Sequence, residues 1–243
     1  MSFFQLFKDI VSPDTCCICG EVTRDFFDTG KILFHGKISS IESPYCKTCT
    51  RRLSKSYTLS RRKIPGTHCF GISLFDFADE TVKNLIYHIK KQNCTVCKQF
   101  FAKLLAEPIN ELIPKNCTLT YIPRSIVLHQ KYAYDQSEEI VRTFVRFNDW
   151  AKFRDIFYRD KNFKLPQKNL GAKARFFNAK MSLKLKESPN LDDTIIVIDD
   201  MVTTGATASA AYSLLKRSGA SDIYFLFMAG TPKFEERRSK DNE

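Results

Sequence analysis

The chain has 243 residues, of which 43% are hydrophobic and 27% are charged, an ordinary composition for a globular protein of one or two domains. It contains no run of about 18 apolar residues and no signal-peptide pattern, so neither membrane insertion nor export is expected. The formal net charge of +11 indicates a surface that attracts polyanions such as nucleic acid or phosphorylated metabolites, or one that only aids solubility, and net charge alone does not separate the two. We expect a cytoplasmic protein.

Two CxxC pairs in the N-terminal part of the chain predict a metal site. Cys16 and Cys19 form the first pair, and Cys46 and Cys49 form the second after an unusually long gap. Two such turns offer four thiolates, which is the set of ligands that Zn²⁺ takes in tetrahedral structural sites. The sequence therefore predicts one structural zinc, with buried reduced thiols as the alternative. Cys17 remains open as a substitute for Cys16.

A basic stretch follows the second CxxC pair. Residues 43–75 contain seven Lys or Arg and no Asp or Glu. Such a stretch can bind phosphate backbones or serve as a solvated linker, and both interpretations stay open. The candidate nucleic-acid-binding residues are Arg51, Arg52, Arg61 and Arg62. We predict a zinc-binding module with a basic linker over residues 1–66 and a second domain over 67–243.

A third CxxC pair, Cys94 and Cys97, has no partner pair nearby in the sequence. A second metal site would have to recruit Cys69, Cys117 or His88. The favoured interpretation is that these cysteines are small buried hydrophobic residues.

From residue 69 onward, strand and helix patterns alternate. Short apolar or β-branched runs predict strands, and apolar residues spaced three or four apart predict helices. The predicted strands cover 69–75, 117–122, 194–198 and 223–228. The predicted helices cover 80–91, 97–113, 137–147 and 206–217, with Ser137 as an N-cap and Gly219 as a left-handed C-terminal residue. This alternation predicts an α/β fold with a parallel sheet.

The segment IIVIDDMVTTGAT at residues 195–207 is the most informative part of the chain. A buried strand delivers Asp199 and Asp200 at its C-terminal end, where ligands of open α/β sheets bind. The Thr- and Gly-rich turn that follows opens a helix, and its backbone N–H groups suit a phosphate. The carboxylates suit hydroxyl groups or a cation instead. Together these features predict a phosphorylated ribose as the ligand.

This segment resembles the 5-phosphoribosyl-1-pyrophosphate (PRPP) binding motif of type I phosphoribosyltransferases. The resemblance implies the type I phosphoribosyltransferase fold, with Asp199 and Asp200 on the ribose hydroxyls and residues 203–207 around the 5′-phosphate. The implied PRPP-binding residues are Asp199, Asp200, Met201, Val202, Thr203, Thr204, Gly205, Ala206 and Thr207. In purine-salvage relatives an aspartate stands where this chain has Thr203. A neutral threonine cannot act as a base, which disfavours hypoxanthine-type salvage.

Two further segments resemble the ComF family of competence-associated proteins. The pattern Gln167-x2-Leu170-x4-Arg175-x2-Asn178 is similar to the family's QxxLxxxxRxxN segment. Residues 121–125 (YIPRS) and 134–136 (YDQ) lie where the family carries PVPLH and GFNQ. The four-cysteine module is also typical of ComF proteins, so the resemblance extends from about Cys16 to Met228.

The loop after residue 121 departs from the family pattern at Tyr121, at Arg124-Ser125 and at Tyr132-Ala133. In the family this loop contacts pyrophosphate. Pro123 and Arg124 are our candidates for binding PRPP there, and Lys131 is a further cation that can compensate.

The resemblance implies a reaction in which an acceptor displaces pyrophosphate from C1 of the ribose, with Mg²⁺ bound alongside PRPP. Residues 142–186 carry thirteen Lys or Arg against three Asp, which favours a mobile basic flap that closes over the diphosphate. A basic solvated loop is the alternative. The predicted catalytic residues are Asp199, Asp200, Lys173 and Arg175.

The resemblance thus implies a ComF-like, PRPP-binding phosphoribosyltransferase with an unknown acceptor, which supports uptake of single-stranded DNA in natural transformation. Competence-machinery proteins are its expected partners. The alternative is a non-catalytic DNA-binding or PRPP-sensing module.

Overall fold

The computed structural model describes residues 15–21, 31–34, 37–42, 45–112, 117–160, 181–186 and 194–231. Its helices are α1 (Lys47–Ser56), α2 (Glu80–Gln92), α3 (Thr95–Leu112), α4 (Ile126–Tyr132), α5 (Gln136–Arg146) and α6 (Ala206–Arg217). Its strands are β1 (Lys31–Phe34), β2 (Lys37–Glu42), β3 (Tyr57–Lys63), β4 (Phe70–Asp76), β5 (Cys117–Tyr121), β6 (Ala151–Phe153), β7 (Phe157–Arg159), β8 (Leu183–Leu185), β9 (Thr194–Val202) and β10 (Asp222–Gly230).

The main sheet has six strands in the order β3-β4-β10-β9-β5-β6. The strands from β4 to β6 in this order run parallel, and only β3 pairs antiparallel, along the edge of β4. Two antiparallel pairs, β1 with β2 and β7 with β8, complete the described strands. The predicted α/β class and the parallel pairing of the central strands are confirmed. The sequence does not predict the antiparallel edge strand β3, because its basic, polar residues lack the apolar run that is typical of a central strand.

The central strands are buried on both faces and separate two hydrophobic cores. Successive side chains of a strand point to opposite faces. Ile196 and Ile198 therefore pack in one core with helices α2, α3 and α5, whereas Ile195 and Val197 pack in the other with α6. All four side chains are fully buried, and each contributes about 1.5–3 kcal/mol of hydrophobic stabilisation. The result is a three-layer arrangement of helices, sheet and helix.

The N-terminal cysteine region shares a core with the main sheet. Cys16, Ile18, Cys49 and Leu53 are buried in the same hydrophobic cluster as helices α2, α3 and α5. Strand β3, which the sequence places in the basic linker, pairs with β4 of the main sheet. The division of the chain after residue 66 stays a prediction.

Most predicted elements lie within a few residues of the observed ones, with two differences. Helix α5 begins one residue earlier than predicted, and its N-cap is Asp135 rather than Ser137. The Asp135 carboxylate accepts hydrogen bonds from the N–H groups of Ser137 and Glu138, which a serine at position 137 cannot replace. Strand β9 runs on to Val202, because its ladder with β10 continues to the pair Val202 and Gly230.

Helix α6 spans the predicted residues, and Gly219 follows it with a φ of 91°, in the left-handed region expected for that position. Among the described residues, no helix combines the length and the apolar character that crossing a membrane requires.

The Asp135 cap generates a prediction about stability. The buried Asp135 carboxylate caps helix α5 and also accepts from the N–H of Arg124 at 2.6 Å. Asp135→Ala leaves these buried donors unpaired and is expected to lower the free energy of unfolding by about 2 kcal/mol, measured by urea denaturation. Asp149→Ala, at an exposed position, is the control and should change it by less than about 0.5 kcal/mol. Equal effects of the two changes would contradict this role.

Candidate functional site

The twin aspartates lie at a point where the connections of neighbouring strands diverge. Strands β9 and β5 are parallel neighbours, and the N–H of Ile122 donates to the carbonyl of Ile198 at 3.1 Å. Helix α6 follows β9 on one face of the sheet, whereas α5 follows β5 on the other. Such a switch point opens a crevice at the carboxyl ends of the strands, where ligands of open α/β sheets bind. Pro123 and Arg124 leave β5 at this same edge.

Asp200 faces the side of the sheet that carries helices α2 and α5. Its carboxylate pairs with the Lys90 ammonium at 3.0 Å, and it accepts a hydrogen bond from the Gln136 side-chain amide. Only 9% of the residue is exposed. A buried carboxylate is costly without partners, so these two side chains offset the cost of burying Asp200 and fix it in position.

Asp199 points to the opposite face, where fewer partners offset the cost of burying its carboxylate. Its carboxylate accepts a hydrogen bond from the N–H of Asp200 at 2.9 Å. Burial, together with the adjacent Asp200 carboxylate, raises the pKa of Asp199 well above its ordinary value, although the cations Lys90 and Arg159 oppose the shift. The pair therefore holds one carboxyl group that favours protonation, and a ligand that donates hydrogen bonds or carries positive charge would favour its ionised form.

Arg159 is a cation at this edge that the sequence analysis did not single out. Its guanidinium donates to the carbonyl of Pro123 at 3.0 Å and to the hydroxyl of Ser182 at 2.8 Å. Burial lowers the pKa of Arg159, while the charges of Asp199 and Asp135 raise it. A guanidinium keeps its charge under these conditions, so Arg159 places a fixed positive charge beside the twin aspartates.

The loop between β9 and α6 has the geometry expected of an anion-binding turn. Gly205 adopts a φ of 70°, which a side chain would disfavour, and α6 starts directly after it. The Thr204 hydroxyl accepts from the N–H of Ala206 at 3.4 Å. The next N–H groups of the first helical turn, those of Thr207 and Ala208, have no acceptor within the helix, so they are available to an anion. Met201 and Val202 belong to β9 itself, and Thr207 lies in the first turn of α6.

Arg124 is engaged in holding the loop after β5. Its guanidinium donates to the carbonyls of Tyr134 at 3.0 Å and Lys90 at 3.3 Å, and it lies over the rings of Tyr132 and Tyr134. Its main-chain N–H bonds to Asp135. The side chain thus links helix α2 to the segment before α5. A contact with PRPP stays a prediction for Arg124 and for Pro123.

The predicted flap over residues 142–186 is only partly described, and its described part includes regular structure: the end of α5 and strands β6, β7 and β8. A single mobile loop over the whole block is therefore wrong. Lys173, Arg175 and the segment from Gln167 to Asn178 lie outside the described residues. The sequence analysis missed Lys90 and Arg159 and gave Gln136 no role. No local pattern marks Lys90, since its partner is 110 residues away in the chain. Arg159 lies within the basic block 142–186, where the sequence does not distinguish it from the other cations. Gln136 was visible only as part of the YDQ segment.

The four predicted zinc ligands come together. The sulfur atoms of Cys16, Cys19, Cys46 and Cys49 all lie within 4.8 Å of one another. The Cys19 and Cys46 sulfurs are 3.8 Å apart, which matches the edge of a tetrahedron with metal–sulfur bonds of about 2.3 Å. The cluster could therefore hold a metal ion. Its members from the first CxxC pair are Cys16 and Cys19, so Cys17 does not take the place of Cys16.

Cys94 and Cys97 are not isolated. Their sulfurs lie within 4.8 Å of each other and of the Cys17 sulfur. The three residues named in the sequence analysis as possible recruits, Cys69, Cys117 and His88, are not in this cluster. The Cys69 thiol donates to the carbonyl of Ile223 instead.

The four candidate nucleic-acid-binding arginines occupy different environments. Arg51 and Arg52 are exposed on α1. Arg61 is exposed on β3, with its guanidinium 4.4 Å from the centre of the Phe70 ring. Arg62 donates to the Ser60 hydroxyl and to the carbonyl of Thr231, whose N–H bonds to Val202. Arg62 therefore holds the end of β10 beside the candidate site. Its substitution would disturb that site as well as any contact with nucleic acid, so the two effects could not be separated.

No protein-family model matches the sequence. Among characterised proteins, the chain is similar to the competence protein ComFC of Streptococcus pneumoniae, with 23% identity over 215 residues and coverage of 88% of each chain. Shorter matches are 38% identity over 52 residues of a uracil phosphoribosyltransferase from Acholeplasma laidlawii, and 34% over 73 residues of an adenine phosphoribosyltransferase from Pelagibacter ubique. These cover 21% and 30% of this chain, and 25% and 41% of the relatives.

Among solved structures, adenine phosphoribosyltransferase from Saccharomyces cerevisiae has a TM-score of 0.35 and 16% identity, covering 78% of this chain and 92% of its own. A hypoxanthine phosphoribosyltransferase from Staphylococcus aureus has a TM-score of 0.34 and 10% identity, covering 56% and 64%. The α/β class of this chain is defined by its own strand order and parallel pairing, and not by its similarity to these solved structures. The similarity to ComFC over nearly the whole chain, together with the cysteine cluster, confirms the resemblance to the ComF family.

The raised pKa of Asp199 generates a prediction about pH. A carboxyl group whose pKa is higher in the folded state contributes stability below its ordinary pKa, and this contribution is lost as the pH rises through the raised value. Asp199→Asn is neutral at every pH. We expect it to raise the melting temperature at about pH 8 and to change it little at about pH 3.5, with each ~1 kcal/mol worth roughly 2–4 °C.

Thermal unfolding across this pH range measures the difference. Asp222→Asn, at an exposed carboxylate at the start of β10, is the control for the loss of one carboxylate. A stabilisation by Asp199→Asn that is the same at both pH values would contradict the prediction.

Proposed function

We propose that this protein binds PRPP at the carboxyl ends of β9 and β5 and is a phosphoribosyltransferase of type I with an acceptor still to be identified. The observation that carries the proposal is the end of β9. There, two aspartates at a switch point of the sheet precede a left-handed Gly205 and the start of helix α6. The similarity to ComFC and the shorter matches to two phosphoribosyltransferases support the same assignment.

The three parts of PRPP match three chemical environments at this edge. The turn over residues 203–207 offers hydroxyls and backbone N–H groups to the 5′-phosphate. Asp199 and Asp200 offer acceptors to the ribose hydroxyls. Lys90 and Arg159 supply positive charge beside them, and in the complete protein Lys173 and Arg175 of the flap would add more. The departing pyrophosphate needs such charge, because negative charge develops on it as the bond to C1 breaks.

A Mg²⁺ ion fits the same edge. The oxygen atoms of Asp199 and Asp200 are the type of donor that Mg²⁺ prefers, and PRPP brings its own phosphate oxygens. When bound, the ion would neutralise charge on the pyrophosphate. The residues of this chain would hold the sugar in place for attack at C1.

We propose further that the protein handles single-stranded DNA in natural transformation, in the cytoplasm and together with competence proteins. The name of the pneumococcal relative and the basic stretch around α1 and β3 support this role. The metal in the four-cysteine cluster would be a structural Zn²⁺, since four thiolates at tetrahedral spacing are its usual set of ligands.

A non-catalytic module that binds DNA or senses PRPP is the second candidate. The engagement of Arg124 with the carbonyls of Tyr134 and Lys90 favours it, because this loop contacts pyrophosphate in the family that the chain resembles. Release of pyrophosphate from PRPP in the presence of candidate acceptors separates the two. Turnover identifies an enzyme, and PRPP binding without turnover identifies a sensor.

Removal of the twin carboxylates tests PRPP binding. The double variant Asp199→Ala, Asp200→Ala loses two charged acceptors, each worth about 1.5–3 kcal/mol. Isothermal titration calorimetry with PRPP and Mg²⁺ is therefore expected to show a loss of affinity of about 100-fold or more. The control is the double variant Asp149→Ala, Asp222→Ala at exposed positions, which should bind as the wild type does. Unchanged binding by the Asp199, Asp200 variant would overturn the assignment.

Charge neutralisation tests DNA binding. Arg51, Arg52 and Arg61 are exchanged for Gln, and Arg62 is left intact because it braces the end of β10. Each phosphate contact contributes about 0.7 to the slope of log affinity against log salt for single strands. We expect the variant to bind a labelled oligonucleotide more weakly, with a salt slope flatter by about 2, in a fluorescence-anisotropy titration.

The matched control changes three other exposed cations, Arg146, Lys152 and Arg217, to Gln and so removes the same net charge. This control should keep most of the affinity and the slope. Equal losses of affinity in both variants would show that net charge alone explains the binding, which would contradict a specific role for Arg51, Arg52 and Arg61. No binding by the wild type at low salt would remove DNA from the proposed role.

A further inference from the structure

Three cysteines form a second sulfur cluster beside the first. Cys17, Cys94 and Cys97 have all their sulfur atoms within 4.8 Å of one another, and the Cys17 and Cys97 sulfurs are 3.2 Å apart. Cys97 is fully buried, while Cys17 and Cys94 are half-buried. Cys17 stands between Cys16 and Cys19, which face the other cluster. The CCxC segment at residues 16–19 thus supplies sulfur to two separate clusters.

The Cys94–Cys97 turn has the same local geometry as the Cys46–Cys49 turn. In both, the N–H of the second cysteine donates to the sulfur of the first, at 3.3 Å and 3.4 Å. In both, the N–H of the next residue donates to the carbonyl of the first cysteine, from Lys98 at 3.1 Å and from Thr50 at 2.9 Å. N–H groups aimed at sulfur suit a thiolate that carries negative charge. The Cys94–Cys97 turn therefore shares the local geometry of a CxxC turn in the first cluster.

The two CxxC turns are also held together by packing. Tyr45, directly before Cys46, is buried, and its ring meets the ring of Phe100 edge-on at 5.1 Å. Phe100 lies three residues after Cys97 on helix α3. This contact and the shared core fix the positions of the three thiols before any ligand arrives, which lowers the entropic cost of binding an ion.

We propose that Cys17, Cys94 and Cys97 form a second metal site, which binds one Zn²⁺ through three thiolates. Three protein ligands leave the fourth position of tetrahedral zinc open, as in sites where the ion contacts solvent or a further ligand. The half-buried Cys17 and Cys94 give an ion access from the surface. On binding, the three thiols lose their protons to solvent. The chain would then carry two zinc ions, one bound in part by Cys16 and the other by the adjacent Cys17.

The test is the zinc content of the complete protein. The wild type and its variants are loaded with Zn²⁺ under reducing conditions, freed of excess metal by gel filtration, and measured by mass spectrometry of the element. We expect two zinc ions per chain in the wild type. Cys94→Ser and Cys46→Ser should each retain one, from opposite clusters, and the control Cys69→Ser, outside both clusters, should retain two.

A spectroscopic readout covers the case in which a serine variant folds poorly. Thiolate-to-cobalt absorption grows with the number of Co–S bonds, so the Co²⁺-loaded wild type should show seven such bonds against four in Cys17→Ser. One zinc per chain in the wild type, lost in Cys46→Ser and kept in Cys94→Ser, would overturn the second site and leave the first intact. A disulfide between Cys17 and Cys97 that persists in the wild type under the reducing loading conditions, located by mass spectrometry of its linked peptides, would also overturn it.

Discussion

Two adjacent carboxylates at the end of a buried strand are the constraint on which the candidate site depends. The ladders with β10 and β5 fix β9 on both sides, so Asp199 and Asp200 cannot move away from each other. The cost of burying them is offset by Lys90 and Gln136 on one face and by Arg159 on the other. The offset is incomplete at Asp199, so a hydroxyl donor or a cation placed at this edge would lower the remaining cost of its burial.

The loops around this constraint are fixed by bonds that run between strand ends. Arg159 holds the carbonyl of Pro123 after β5, and Arg62 holds the carbonyl of Thr231 after β10. Arg124 ties the loop after β5 to helix α2. Several arginines of this basic chain are thus structural braces as well as sources of positive charge. The net charge of +11 alone does not distinguish these two roles.

The cysteine clusters tie the N-terminal region to the same helices that pack behind the aspartates. Helix α3 begins at the Cys94–Cys97 turn, and helix α2, which carries Lys90, shares its core. The cysteines that could hold metal and the residues that surround the carboxylates therefore belong to one continuous packing unit. A change of metal content would reach the site through the position of α2 and α3 rather than through a separate module.

The sequence by itself determined what local patterns can carry: the order of strands β4, β5, β9 and β10 and of helices α2, α3, α5 and α6, the Asp199–Thr207 loop, and the two CxxC pairs of the first cluster. Each of these depends on residues a few positions apart, where periodicity and turn chemistry act directly, whereas the meeting of the two CxxC pairs depends on the fold. Only the tertiary structure decided that Lys90 and Arg159 face the aspartates, that Asp135 caps α5, and that Cys17 joins Cys94 and Cys97. Apart from the local cap, these contacts join residues 40 to 110 positions apart. They follow from which faces the helices and strands turn toward each other in the packed core.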